Sequence, residues 1–292
     1  MKTTQFCLLL LLCAATKGTK AQHFYAGLGG GYGFPAAKQS LDYDVKSVYS
    51  SSGGSTEYNS HPTSFGMGIH TGLFFGYMLN SNLGFEIGAS YFIGSKTQFR
   101  TEYSNSDING GSYYSEQTSV YQGKMIRLIP TIRMSVGEKK LRPYMKAGLI
   151  VSLGNKLVST QSYKSSFSLG GGSNSSESIN EYTGGISFGF HGSLGFNYII
   201  NDKFMLFAEC AANCQNWAPT KGELTKSMQN GVDQLPNMDK VDKEVEFVNS
   251  YTEGSNTVNN PNEPTTELKF FMPFSSIGLN IGIVMRFGKT SE

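Results

Sequence analysis

The chain has 292 residues, with 24 Lys+Arg against 22 Asp+Glu and a formal net charge of +2. Lys2, Lys17 and Lys20 fall in the first 21 residues, which carry no acid, so residues 22–292 hold 21 basic against 22 acidic side chains and sit near −1. That balance excludes the basic face of a nucleic-acid binder. No later segment has the ~20 uncharged apolar residues of a membrane helix, so any membrane crossing is made by strands.

Residues 1–21 read as a cleaved secretory signal. Lys2 opens it, Leu8 to Ala15 form a short apolar core, and Thr19-Lys20-Ala21 place small residues at −3 and −1 before Gln22. Cys13 lies inside the apolar run without the small residues a lipoprotein signal needs just before its cysteine. Residues 22–292 then form one domain. Its two cysteines, Cys210 and Cys214, lie about 13 Å apart on one strand. A disulfide needs Cα atoms within about 7 Å, so both read as small hydrophobes on an outer face.

Eight stretches alternate with period two, the mark of strands with two different faces. The first, His23 to Phe34, sets Phe24, Ala26, Leu28, Tyr32 and Phe34 against Gly27, Gly29, Gly31 and Gly33. The second runs from Phe65 to Leu79 and places Phe65, Met67, Ile69, Leu73, Phe75 and Tyr77 on the apolar face. The third runs from Leu83 to about Thr101, with Glu86 among its polar positions. The fourth, about Thr118 to Val136, turns Arg127 and Arg133 away from Ile126, Leu128 and Ile132, and Pro130 inside it predicts a bend. The fifth, about Arg142 to Tyr163, sets Lys146 and Gly148 against Met145 and Leu149. The sixth, about Thr183 to Ile200, sets His191, Ser193 and Gly195 against Phe190, Leu194 and Phe196. The seventh, Lys203 to about Trp217, is less clean and carries Glu209. The eighth, about Thr266 to Phe287, ends in strict alternation from Ile277 to Phe287.

The connections alternate in length. Asn80–Asn82, Gly137–Leu141 and Asn201-Asp202 are tight turns. Residues 35–64, 102–117, 164–182 and 218–265 are long, polar and read as loops, the last with eight acids and four lysines. Long loops on one side and short turns on the other is the arrangement of outer-membrane barrels. The expected fold is therefore all-β: an eight-stranded antiparallel up-and-down transmembrane barrel with long extracellular loops and short periplasmic turns. Inward glycines relieve crowding in so narrow a lumen, so no wide pore is expected.

The whole pattern resembles the small outer-membrane β-barrel family, the OmpA- and OmpX-like barrels with a cleaved signal. Their last strand reads polar-x-Gly-x-x-apolar-x-aromatic, and Asn280, Gly282, Met285 and Phe287 match it, although Gly288 to Glu292 follow where many members stop. The resemblance implies that these four residues form the signal read by the outer-membrane assembly machinery. It also implies a monomer in contact with outer-membrane lipid and lipopolysaccharide, with loops that meet a host or surface ligand, and no nucleic acid.

Six charges fall on inward faces: Glu86, Arg127, Arg133, Lys146, Glu209 and Arg286. Charges in a low-dielectric interior must be paired, so they predict a structural salt-bridge network closing the lumen, with Glu86 paired to Arg133 or Arg127. A gated ion path is the competing reading. His191 and Ser193 with Glu209 invite comparison with a barrel-type lipid A deacylase, but their inward placement and Leu194 argue against it. His70 stands without a ligand cluster. No catalytic residue, cofactor or metal site is expected. The leading function is a non-enzymatic outer-membrane barrel serving envelope integrity or surface interaction. Alternatives are an outer-membrane enzyme or narrow channel, and a secreted lipocalin-like barrel.

Overall fold

The computed structural model describes residues 22–40, 43–108, 110–137, 139–168, 171–252 and 260–287. The expected signal segment, residues 1–21, and residues 288–292 lie outside them.

Among the described residues seventeen strands follow in chain order. They are β1 (His23–Pro35), β2 (Tyr43–Ser50), β3 (Gly53–Ser60), β4 (Gly68–Met78), β5 (Leu83–Gly94) and β6 (Thr97–Ser106), then β7 (Ser112–Ser135), β8 (Leu141–Phe167) and β9 (Ser173–Thr183). There follow β10 (Ser187–Ile199), β11 (Phe204–Trp217), β12 (Lys221–Gln229), β13 (Val232–Asp233), β14 (Glu244–Val248), β15 (Thr265–Leu268), β16 (Met272–Pro273) and β17 (Ser276–Phe287). One helical turn, α1 (Lys240–Lys243), precedes β14.

Eight of these close a ring in the order β1-β4-β5-β7-β8-β10-β11-β17, each antiparallel to its neighbours, with β17 sealing it between β11 and β1. Closure leaves no unpaired strand edge in the wall, the condition for a sheet to sit in hydrocarbon.

The apolar face points outward. Phe24, Phe85, Tyr198, Phe204 and Phe287 are exposed at the short-turn rim, Tyr32, Phe34, Tyr91, Phe188 and Phe190 at the opposite rim, and Leu28, Leu73, Ile87, Leu149, Leu194 and Ile281 between them. Phe24 and Phe34 are roughly 33 Å apart along β1, or about 25 Å along the axis at a ~40° tilt, the height of an apolar band between two aromatic girdles. Cys210 and Cys214 are free and exposed on this outer face.

Asparagines shape two of the tight turns. Asn80 Oδ1 accepts from the backbone N–H of Asn82 and Leu83 at 2.8 Å each, and Asn201 Oδ1 accepts from Lys203 and Phe204 at 2.9 and 2.8 Å. Such local bonds stand in for missing ladder bonds. Asn201→Ala should lower barrel stability by about 1 kcal/mol, read as the urea midpoint of the heat-modifiable folded band.

The long connections differ from the expected loops, because each of them contains strands. With 24 and 27 residues, β7 and β8 are more than twice the 9–11 residues that cross a bilayer. Their upper halves carry an open sheet in the order β3-β2-β6-β7-β8-β9-β12-β14-β15. Two of its pairings, β2–β6 and β14–β15, are parallel. Both faces of this sheet meet water, so no apolar face marks its strands in sequence.

Two further expectations are corrected. The third stretch is two strands, because Ser95-Lys96 breaks it and Ser95 N–H bonds Met67 O at 2.8 Å. Phe65 lies inside, 5% exposed, because β4 starts only at Gly68 (φ +154°) and the alternation does not extend back through that turn. At Pro130 the β7–β8 pairing skips Ile129 and Pro130, yet Leu128↔Val151 and Thr131↔Gly148 keep one register across it. The register shift lies higher, between Lys124 and Ile126, where β8 inserts a residue at Gly154 (φ +60°) and Asn155. Below it the buried residues of β8 are even-numbered (Tyr144, Lys146, Ile150, Ser152); above it they are odd-numbered (Asn155, Leu157, Ser159).

Candidate functional site

The lumen is layered. At the short-turn end Tyr25, Met78, Tyr144, Met205, Phe207 and Val284 form a buried apolar cluster, with Phe74 and Ile199 against it. Inward glycines make room for its rings. A Cβ on Gly76 would lie 2.1 Å from the Tyr25 ring, and one on Gly29 would lie 2.6 Å from Phe207.

A charged layer lies against this cluster. Glu86 Oε1 takes the Lys146 ammonium at 2.8 Å, and Glu86 Oε2 accepts from Tyr25 OH at 3.0 Å and faces Arg133 at 3.5 Å. Lys146 also reaches Glu209 Oε2 at 3.3 Å. Glu209 accepts from Tyr144 OH at 2.9 Å, Ser193 Oγ at 3.2 Å and Asn280 Nδ2 at 3.0 Å. The Arg133 guanidinium stacks 4.1 Å above the Tyr144 ring. Two carboxylates and two cations thus balance, and all four carboxylate oxygens are occupied.

Glu86, Arg133, Lys146 and Glu209 therefore meet, while Arg127 and Arg286 do not join them. Arg286 lies at the short-turn rim, where it donates to Asn201 O at 3.2 Å. Arg127 stands higher, over the Phe92 ring at 4.4 Å, and forms no ion pair among the described residues. Glu86 and Arg133 sit on neighbouring strands, but Lys146 reaches across to β5 and β11, and strand order alone does not reveal such cross-lumen contacts.

His191 and Ser193 bond to different partners. The serine hydroxyl donates to Glu209, while His191 Nδ1 lies 2.8 Å from Asn213 Oδ1. His70 Nε2 lies 2.8 Å from Asn280 Oδ1. Among the described residues no group of His, Cys, Asp and Glu is placed to hold a metal ion.

Above Arg127 a second apolar plug closes the far end: Phe65, Phe92, Met125, Leu157, Trp217, Met272 and Phe274, all buried. Trp217 donates its indole N–H to Gly184 O at 2.8 Å and meets Phe274 edge-on. A polar knot of Gln215, Ser152 and Ser187 lies just below. Sequence reasoning did not find this plug, nor the roles of Tyr25 and Tyr144. The available signal was large residues in the glycine phase, as at Tyr25, Phe92, Met125 and Trp217.

Of the predicted assembly residues, Met285 and Phe287 point outward beside β1, where Phe287 pairs with Phe24, while Asn280 and Gly282 face the lumen. Beyond the rim, ion pairs stitch the open sheet: Arg100 to Glu102 (2.8 Å) and Glu116 (2.9 Å), Lys156 to Glu181 (2.7 Å) and Lys226 to Glu177 (2.7 Å). The Arg100 guanidinium holds the Glu116 carboxyl below its usual range.

A closed strand ring with girdled rims, a paired lumen and opposed short and long ends defines an outer-membrane barrel. The family model for the outer membrane protein beta-barrel domain matches residues 5–213, and the chain belongs to that family and resides in the outer membrane. Among solved structures it is similar to the outer membrane protein OprG from Pseudomonas aeruginosa, with 14% identity and a TM-score of 0.42 over 93% of this chain and 99% of that one. No curated protein matches.

Proposed function

We propose that this is a non-enzymatic, monomeric barrel that crosses the outer membrane eight times and holds a polar β-sheet outside the cell for surface contact. The observation that carries this reading is the division of labour in the fold. The lumen is filled by two apolar plugs around an ion-paired layer, while β7 and β8 extend far past the girdles to build the sheet. A filled lumen suits an anchor rather than a conduit. The sheet offers tyrosines in ring contact, Tyr43 with Tyr58 and Tyr49 with Tyr103, among serines and asparagines, a composition suited to protein or glycan contact. Lipopolysaccharide would surround the upper girdle, and the β17 residues from Asn280 to Phe287 would serve the assembly machinery.

The test combines conductance with loop exchange. Purified protein in planar bilayers should give no steady channel steps. In a deletion strain, the full chain should restore adhesion or serum survival, and a version with residues 43–60 replaced by a short Gly/Ser link should not, although it reaches the membrane. Steady conductance, or full rescue by the shortened version, would overturn the proposal.

A further inference from the structure

One buried charge remains without a counterion. Arg127 is 2% exposed, and its Nε and Nη2 have no hydrogen-bond partner. One side of the guanidinium is covered by the Phe92 ring. The group lines a cavity of about 90 Å³ between the charged layer and the upper plug, shared with His70, Thr131, His191, Asn213 and Asn280. Glu86 and Glu209 also border this space, but their oxygens are occupied by Lys146, Arg133, Tyr25, Tyr144, Ser193 and Asn280. The layer below is neutral, so the guanidinium is a net positive charge within the lumen.

An unpaired charge in such a place is strongly disfavoured, and a buried guanidinium requires both a counter-charge and acceptors. The two free N–H groups point to an acceptor carrying a single negative charge, which would restore neutrality. One water needs about 10–15 Å³, so the cavity holds a small ion and a few waters. A doubly charged anion would exceed the one positive charge and face the two carboxylates.

We propose that the lumen binds one small monovalent anion, a halide or a one-carbon carboxylate, against Nε and Nη2 of Arg127. The site lies between Phe92 with the upper plug on one side and the paired layer on the other. It acts as an internal counterion that completes the packed lumen. The proposal rests on the closed-lumen reading but fails separately from it: an open lumen would give channel steps, whereas a failed anion site would leave bilayers silent and remove only the salt effect below.

The experiment refolds the full barrel in detergent with sodium bromide, chloride, formate or gluconate at equal ionic strength. Bromide, chloride or formate should raise the urea midpoint above that in gluconate, and Arg127→Met should abolish the difference. A rise with halides alone assigns a halide site, and a rise with formate alone assigns a carboxylate site. Crystals grown in bromide should show an anomalous peak within hydrogen-bond distance of the Arg127 guanidinium, a readout that does not depend on whether the variant folds. Equal midpoints in all four salts together with no peak, or a salt effect that persists in Arg127→Met, would overturn the proposal.

Discussion

Lys146→Met should destabilise the folded barrel by about 3–5 kcal/mol, the cost of breaking a buried ion pair from one side. Methionine keeps most of the volume but removes the one cation that touches both carboxylates, Glu86 at 2.8 Å and Glu209 at 3.3 Å. Two buried acids would then share Arg133, which reaches only Glu86. Adding Glu209→Gln should recover more than half of the loss, because it restores neutrality and leaves Glu86 with Arg133. Urea titration can follow fluorescence of Trp217, the sole tryptophan. A Lys146→Met variant within about 0.5 kcal/mol of the parent, the range of an ordinary surface change, would show that the layer contributes little to stability.

Trp217→Ala should cost a similar amount, about 3–5 kcal/mol for a large aromatic removed from a packed core. The indole is 1% exposed, packs edge-on against Phe274 and bonds Gly184 O at 2.8 Å, so truncation leaves both a cavity and an unpaired carbonyl. Gel migration replaces fluorescence as the probe here. The paired layer still closes the lumen below, so the variant should remain non-conducting in planar bilayers. Channel steps in this variant would mean that the upper plug alone holds the lumen shut.

The wall of the barrel was legible in sequence because lipid imposes a strict rule on it. Every outward position must be apolar, and Ile277 to Phe287 obeys that rule without exception. The inward charges were legible for the same reason, since a charge in the glycine phase has nowhere to go but the lumen. Their partners were less so: Arg127 and Arg133 share one phase of β7, and only the three-dimensional shear puts Arg133 in the network and Arg127 above it. The open sheet was not legible, because strands wetted on both faces carry no apolar alternation, and its Ser-, Asn- and Tyr-rich segments read as loops. Phe65 was missed because the turn at Gly68 resets the phase, so an alternation extended through it points the side chain the wrong way.

The inserted residue at Gly154 and Asn155 has a geometric consequence. Below it β8 curves with a narrow cylinder; above it the same strand belongs to a sheet that never closes. An extra residue on one strand of a pair bends and twists it locally, so the change of curvature is concentrated at one joint. The same residue moves the strand's parity by one, and this turns Leu157 and Ser159 inward rather than away. Removing that residue would not simply shorten the strand: it would rotate everything above the joint by half a turn, drawing Leu157 out of the mouth of the tube.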